Sequence, residues 1–230
     1  MVNEISREDF FYVLKDNYDE HIELAIPFYR EMHGEIARFV PEKATPLRAL
    51  DLGCGTGKTS AAILHNFPAS TVLAVDLFEE MLRHARTRLA RFEGRVQYVQ
   101  GDFRSLPLGS GYDVCVSALA IHHHTPEEKR ETFKRIADAL VPGGRFIMID
   151  WTRFESPLVQ RVSAAVAEQH AASSVPDEEV VKAWCEHWRD KNIPDTVENL
   201  VEWLMAAGFS HAECIVRYYG MAMIVAEKAS

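Results

Sequence analysis

The 230-residue chain lacks the features that mark membrane-spanning and disulfide-stapled proteins. No run approaches 18 apolar residues, and residues 1–9 are polar and acidic, so we expect neither a membrane span nor a secretory signal peptide. Only four cysteines occur, at positions 54, 115, 185 and 214, and no two of them form a C-x-x-C pair for zinc or redox chemistry. These absences predict a cytoplasmic protein with reduced thiols.

Positive charge is also scarce. The chain has 25 lysines and arginines against 34 aspartates and glutamates, which gives a formal net charge of −9. A field of this sign repels phosphate backbones, so no nucleic-acid partner is expected and a small-molecule substrate is favoured. The length suits one large domain with an extensive core.

The most informative segment, Ala49–Gly57, reads A-L-D-L-G-C-G-T-G and joins an apolar strand to a helix start. Glycines in such a turn let the backbone approach a ligand closely. Two related motifs are each short of one glycine: a P-loop would need glycine where Leu52 stands, and a dinucleotide fingerprint would need it at Lys58. A ligand with one small anionic group is therefore favoured over a diphosphate. The next apolar run ends in Asp76, 19 residues past Gly57, where nucleotide-like ligands place their ribose hydroxyls.

Strand and helix patterns alternate from residue 47 onward, which predicts an α/β doubly wound sheet with helices on both faces. The last two strands, Ala212–Tyr218 and Met221–Ala226, are separated only by Tyr219–Gly220 and must form an antiparallel hairpin.

Four regions follow from these patterns. We expect an N-terminal helical cap over residues 1–46, divided near Pro27, and a ligand-binding core over 47–152. A helical insertion over 153–193 should act as a lid, and a C-terminal helix and hairpin over 194–230 should complete the sheet.

Several motifs resemble those of the class I S-adenosylmethionine (SAM)-dependent methyltransferases. The glycine turn is joined by V-D at Val75–Asp76, G-D-F at Gly101–Phe103, S-A-L-A-I-H-H at Ser117–His123 and P-G-G at Pro142–Gly144. The chain is most similar to bacterial small-molecule methyltransferases, a group that also resembles the carboxy-SAM synthases. The resemblance implies a Rossmann-like, seven-stranded, mostly parallel sheet with an antiparallel C-terminal hairpin strand. It further implies SAM as cofactor and S-adenosylhomocysteine as product.

The resemblance also implies a set of cofactor residues. Those expected at the methionine end are Asp51, Gly53, Gly55 and Gly57; those expected at the ribose and adenine are Asp76, Leu77, Asp102, Phe103 and Ala118. Asp51 would orient the ammonium, Asp76 would accept the ribose hydroxyls, and Asp102 would meet the adenine amino group. The alternatives are that Asp76 caps a helix and that Asp102 only forms a turn.

Candidate residues for the substrate pocket are aromatic or cationic side chains outside the glycine turn: Tyr18, Tyr29, Trp151, Trp184, Trp188, Arg217 and Tyr218. Trp184 and Trp188, four residues apart, suit either a helix core or a cage for a cationic acceptor.

The three consecutive histidines His122–His124 invite a catalytic hypothesis. No metal site is expected, because adjacent side chains point in different directions. Imidazole titrates near neutral pH, so one histidine is expected to be the general base, with His123 the first choice and His122 the second. The alternative is that one of them packs under the cofactor while His124 is solvated.

We expect methyl transfer to a nitrogen, oxygen or carbon atom of a small molecule. A homodimer is one expected form of the protein. Two alternatives stay open. A carboxy-SAM synthase-like enzyme would need an arginine near the sulfonium, for which Arg30, Arg153 and Arg217 are candidates. A regulatory subunit that binds SAM without catalysis would need none.

Overall fold

The computed structural model describes residues 17–42 and 46–230, and within them it shows one seven-stranded sheet. The strands are β1 (Arg48–Leu52), β2 (Thr71–Asp76), β3 (Val96–Gln100), β4 (Tyr112–Ala118), β5 (Leu140–Trp151), β6 (Phe209–Tyr218) and β7 (Met221–Lys228). Their order is β3-β2-β1-β4-β5-β7-β6, and only β7 runs antiparallel to its neighbours. The predicted Rossmann-like sheet with a reversed C-terminal hairpin strand is confirmed.

The described helices are α1 (Tyr18–Ala25), α2 (Tyr29–Phe39), α3 (Lys58–Asn66), α4 (Glu79–Leu89), α5 (Pro126–Ala139), α6 (Pro157–Ser174), α7 (Glu178–Lys191) and α8 (Val197–Ala206). Pro27 lies between α1 and α2, as predicted. Thr125 caps α5 through a reciprocal pair with Glu128, and Thr196 caps α8. None of the helices in the described ranges is long and apolar enough to cross a membrane.

The sheet separates two apolar clusters because successive side chains of a strand point to opposite faces. Leu50 and Leu52 pack with Phe133 of α5 on one face, while Ala49 packs with Ile63 of α3 on the other. The second face also carries α2 and α4, and beyond them the helices α6 and α7 of residues 153–193 pack against α1. This arrangement leaves the carboxyl ends of the parallel strands facing α1 and α7.

The Pro142–Gly144 motif lies within strand β5. Leu140 pairs with Tyr112 and Arg145 with Val114, so the motif falls in an irregularity between the two pairs. Residues 1–16 and 43–45 of the expected N-terminal cap lie outside the described residues.

A buried ion pair fastens the chain after α7 to the core. Lys129 of α5 is 1% exposed and donates hydrogen bonds to the Ile193 carbonyl and, over 2.6 Å, to the Asp195 carboxylate. Asp195 is itself buried, and its carbonyl accepts from the Arg153 N–H at 2.9 Å. The pair therefore joins both ends of the helical insertion to α5.

Lys129→Met should lower the free energy of unfolding by about 3–5 kcal/mol, because it leaves the Asp195 carboxylate buried without its counter-charge. Urea unfolding at pH 7 would measure this. The matched control is Lys134→Met on the same helix, whose pair with Asp138 is exposed and should contribute less than about 1 kcal/mol. The double variant Lys129→Met/Asp195→Asn should recover part of the loss. Equal stabilities for the Lys129 and Lys134 variants would contradict the assignment.

Candidate functional site

Two adjoining cavities open at the carboxyl ends of the parallel strands. The first has a volume of about 960 Å³ including its open mouth and lies over the glycine turn and the end of β2. The second, of about 400 Å³, lies between α1, α7 and the end of β5. Tyr18, Leu119 and His123 line both cavities, so the two meet at these three side chains.

Asp76 fixes the shape of the glycine turn. Its Oδ2 accepts a hydrogen bond from the Gly55 N–H at 2.8 Å, and its Oδ1 accepts from the Phe78 N–H at 2.9 Å. The N–H groups of Gly53 and Cys54 both donate to the Val75 carbonyl at 2.9 Å. Burial raises the pKa of the Asp76 carboxyl, although the backbone N–H groups of Phe78, Gly55 and Leu77 oppose the rise. Asp76 lines the first cavity and is not the N-cap of α4, a position held by Phe78.

The glycines of the turn differ in what surrounds them. Gly55 has φ +52° and lines the first cavity, and a Cβ built on it would come within 4 Å of no atom in residues 17–42 and 46–230. Gly53 also lines the cavity. Gly57, by contrast, lies outside the lining, and its Cβ would stand 3.0 Å from Leu89 and 3.2 Å from Ala85. Gly57 therefore allows α3 and α4 to pack closely, which differs from the cofactor contact expected of it.

Asp51 lies behind the turn and not in the cavity wall. It shares the inward face of β1 with Ala49, is 1% exposed, and accepts a 2.6 Å hydrogen bond from Ser60 Oγ on α3. Its second oxygen, Oδ1, is buried without a partner among the described residues. Burial raises the pKa of this carboxyl to about 7, with the charge of Asp76 adding to the rise.

The far end of the first cavity holds the residues expected at the adenine. Leu77, Phe103 and Ala118 line it, and Leu77 is 44% exposed. Asp102 also lines it, but its carboxylate is held by the Arg104 guanidinium, with the closest oxygen at 2.6 Å, which lowers its pKa. Asp102 Oδ1 also accepts a hydrogen bond from the Arg104 backbone N–H at 2.9 Å. Asp102 therefore has the turn-forming role that the sequence left open as an alternative.

The histidines occupy three different environments. His124 is buried against Phe103 with ring centroids 4.9 Å apart, and burial lowers its pKa to about 4, so the expectation that it is solvated is wrong. The His122 Nδ1 pairs with the Asp150 carboxylate, whose Oδ2 also accepts from the His122 N–H at 3.0 Å. The His123 ring lies 4.0 Å from the His122 ring at a tilt of 52°, and His123 lines both cavities. Of the three consecutive histidines, His122 and His123 line the second cavity, and His123 also lies at the junction of the two cavities.

Aromatic side chains form one wall of the second cavity. Trp184 and Trp188 of α7 stack with ring planes 8° apart and centroids 6.3 Å apart, and Trp151 at the end of β5 lies 6.0 and 5.7 Å from them. Tyr18 is the remaining predicted pocket residue that lines the second cavity. Tyr29 instead lines the first cavity, where the Lys58 Nζ lies 4.7 Å from its ring centroid.

Two predicted pocket residues lie outside both cavities. The Arg217 guanidinium stacks 3.6 Å from the Phe154 ring centroid and donates to the Arg153 carbonyl at 3.0 Å. Tyr218 packs on Phe28 with ring centroids 4.3 Å apart. A register shift between Cys214 and Val216 on the edge strand β6 precedes Arg217 and places it opposite Ala222, on the face of the sheet away from α1 and α7.

Two of the arginines expected near the sulfonium of a carboxy-SAM synthase-like enzyme lie away from the site. Neither Arg30 nor Arg153 lines either of the two cavities, and Arg30 pairs with Glu23 at 2.5 Å. No group of His, Cys, Asp or Glu within the described ranges could hold a metal ion.

The sequence interpretation missed two polar residues of the second cavity, His187 and Asn192. His187 follows Trp184 by three residues and precedes Trp188 by one, so helical spacing alone could have placed it on the same face. Asn192 lies just after α7, where no pattern in the sequence indicated a cavity.

Helix α1 is fastened over the glycine turn by charge. Asp19 accepts a 2.7 Å hydrogen bond from Thr56 Oγ1 and also pairs with Arg88, while Glu23 pairs with Lys58 at the start of α3. These contacts hold Tyr18 at the junction of the two cavities.

Comparisons with known proteins agree with this geometry. Residues 49–144 match a family described as a methyltransferase domain. An uncharacterized methyltransferase of Geobacillus sp. (strain WCH70) is 30% identical over 67% of this chain and 71% of its own length. The carboxy-S-adenosyl-L-methionine synthase of Nautilia profundicola is 22% identical over 92% of this chain and 90% of its own length.

Among solved structures, an O-methyltransferase family protein from Burkholderia thailandensis superposes with a TM-score of 0.70 at 17% identity. The match covers 98% of this chain and 64% of that longer chain, and it bears on the fold alone. The family match and the relative at 30% identity carry the assignment. The chain belongs to the class I SAM-dependent methyltransferases and is an enzyme that uses SAM.

Proposed function

We propose that the enzyme transfers a methyl group from SAM in the first cavity to a small molecule in the second. The observation that carries this proposal is the junction of the two cavities at Tyr18, Leu119 and His123. A donor and an acceptor placed on either side of this junction would react without crossing bulk solvent.

The residues of the first cavity suit SAM. The open space beside Gly55 admits a ligand backbone, and the Asp76 carboxylate faces the cavity as an acceptor for ribose hydroxyls. Behind the cavity wall, Asp51 has an oxygen without a partner among the described residues, and its negative charge would favour an ammonium group bound in front of the turn. Helix α3 starts at Lys58, and no described side chain caps its first turn, so its N–H groups are available to a carboxylate. Bound SAM supplies a methyl group on a sulfonium, whose positive charge disperses as the methyl leaves.

The protein's part in the transfer is alignment, exclusion of water and removal of a proton. Leu119, which has φ +57°, turns the chain sharply after β4 and lies between the cavities. His123 is the proposed general base because it faces both cavities. His122 is the second candidate because Asp150 fixes its ring orientation, as carboxylates do for catalytic imidazoles. Neither His124 nor His33 suits the role, since burial lowers the pKa of each to about 4.

We further propose that α1 and the insertion helices α6 and α7 act as the lid. Support comes from their mutual packing and from the side chains they place in the second cavity, Tyr18 from α1 and Trp184 from α7. Closure over both ligands would exclude water from the junction.

The carboxy-SAM synthase alternative retains one supporting observation, the match over about nine-tenths of both chains. The arginines expected to serve it, Arg30, Arg153 and Arg217, lie outside both cavity linings. Arg104 does line the first cavity, but its guanidinium is paired with Asp102 and Glu128. Methyl transfer is therefore the function that the site supports best.

Gly55→Val should weaken SAM binding by about 100-fold or more, or about 2.7 kcal/mol, because the side chain would occupy the ligand's space. Calorimetric titration would measure this. The control is Gly94→Val: Gly94 also has positive φ and open surroundings but lies outside the cavities, so its variant carries similar backbone strain and should bind SAM normally. Mass spectrometry of ligand retained by the wild type should identify SAM or S-adenosylhomocysteine. Near-normal affinity in Gly55→Val would count against the cofactor site.

Asp51→Asn should stabilise the ligand-free protein increasingly as the pH rises from about 4 to 7. The folded-state pKa of about 7 exceeds the ordinary value of 3.8, so the buried acid costs nothing below about pH 4 and most above pH 7. A shift of about three units corresponds to roughly 4 kcal/mol, which we expect as the upper limit of the gain at pH 8. Urea unfolding at pH 5 and pH 8 would test this, with the exposed Asp138→Asn as control.

The same variant should bind SAM more weakly, since the amide cannot neutralise an ammonium group. A stability gain without any loss of SAM affinity would remove Asp51 from the cofactor site.

His123→Ala should lower turnover by about 10²–10⁴-fold while leaving SAM affinity nearly unchanged, because a general base acts in the transfer step and not in cofactor binding. Steady-state kinetics and calorimetry together measure both quantities. His65→Ala, an exposed histidine on α3, serves as the control. Loss of both turnover and SAM binding would make His123 a packing residue, and a larger loss in His122→Ala would exchange the two roles.

A further inference from the structure

Apart from its histidines, the second cavity is lined by uncharged side chains. Among the described residues it contains no aspartate, glutamate, lysine or arginine. The first cavity, by contrast, is lined by Asp76 and Asp102 and by Lys58 and Arg104. An ionic group buried in the second cavity would lose its hydration without meeting an aspartate, glutamate, lysine or arginine as counter-charge, at a large cost in free energy. The second cavity therefore discriminates against carboxylated, phosphorylated and ammonium-bearing acceptors.

The tryptophans form a wall and not a cage. A cage for a methylammonium group surrounds a void with rings, whereas Trp151, Trp184 and Trp188 pack on one another at 5.7–6.3 Å. The parallel rings of Trp184 and Trp188 also leave no room for a third ring between them, because stacked aromatic rings need about 3.5 Å on each side. A ligand therefore lies against the wall, and a flat ring makes the largest contact there.

Polar groups complete the wall at the junction and beyond it. His122 and His123 provide imidazole nitrogens beside the first cavity. The Asn192 Oδ1 is buried and has no hydrogen-bond partner in the described part of the chain. A buried acceptor of this kind is satisfied by a ligand that donates a hydrogen bond.

We propose that the second cavity binds a neutral, planar aromatic molecule bearing a hydroxyl group, and that the hydroxyl oxygen receives the methyl group. In the transfer the hydroxyl proton passes to the imidazole of His123. The oxygen–carbon bond forms as the carbon–sulfur bond breaks, and the electron pair of that bond stays on sulfur, so that the sulfonium becomes a neutral thioether. The placement of the ring rests on the cavity alone, whereas the transfer rests on the proposed function.

Three probes of one ring size test the charge selection: 2-naphthol, 2-naphthoate and 2-naphthylmethylammonium. Calorimetric titration into the enzyme saturated with S-adenosylhomocysteine at pH 7 should show 2-naphthol binding at least about 30-fold more tightly than either ion. Equal or tighter binding of either ion would overturn the proposal.

A variant pair tests the location. Trp188→Ala removes a partly exposed ring from the wall and should weaken 2-naphthol binding by about tenfold. Trp203→Phe alters a tryptophan of α8 that packs under Arg130, outside the cavity, and should leave binding unchanged. Unchanged binding in Trp188→Ala would overturn the placement.

Turnover with isotopically labelled SAM separates this inference from the proposed function. Methylation of 2-naphthol at oxygen supports both. Tight, Trp188-dependent binding with no methylation of any hydroxylated aromatic supports the binding class and counts against methyl transfer. Methylation of an anionic or cationic acceptor, with no binding of 2-naphthol, overturns the acceptor class and leaves methyl transfer standing.

Discussion

The hydrogen bond from the Gly55 N–H to the Asp76 carboxylate is the contact on which the shape of the first cavity depends. It ties the loop after β1 to the end of β2, and the two further bonds to the Val75 carbonyl hold the same loop from its other side. A parallel sheet brings these strand ends together but does not set the path of the loop between strand and helix. With the path fixed, Gly55 faces open space and the first turn of α3 points at it. A side chain without an acceptor oxygen at position 76 would leave the Gly55 N–H without this partner.

A second carboxylate fixes the histidine segment beside the second cavity. Asp150, at the end of β5, accepts hydrogen bonds from the N–H groups of Ile121, His122 and Trp151 as well as pairing with the His122 ring. One buried acid therefore fixes both the backbone and the imidazole of the histidine segment. Lys129 fixes the chain that follows α7, where the Ile193 N–H donates to the His122 carbonyl at 2.7 Å. The histidines are thus held both by the sheet and by the chain that follows α7.

How much the sequence predicted depends on whether local pattern or side-chain direction decides the outcome. Alternation of strands and helices and the two-residue turn at Tyr219–Gly220 were enough for the sheet and its reversed strand. The direction in which individual side chains point was harder to predict. Asp51 faces α3 because it shares its face of β1 with Ala49, a consequence of strand periodicity that the motif resemblance obscured. Arg217 points away from both cavities because of a register shift that leaves no signature in the sequence.

The two cavities also differ in how their walls are assembled, and this bears on selectivity. The first is built mainly from loops at strand ends, whose backbone N–H groups and carboxylates suit one polar cofactor. The second takes five of its lining side chains from α1 and α7, namely Tyr18, Ile22, Trp184, His187 and Trp188. Side chains of α1 such as Asp19 bond to the glycine turn, whereas those of α7 do not line the first cavity. Under the proposed function, acceptor choice can therefore vary through Trp184, Trp188 and Asn192 without altering the first cavity, because the two linings share only Tyr18, Leu119 and His123 among the described residues.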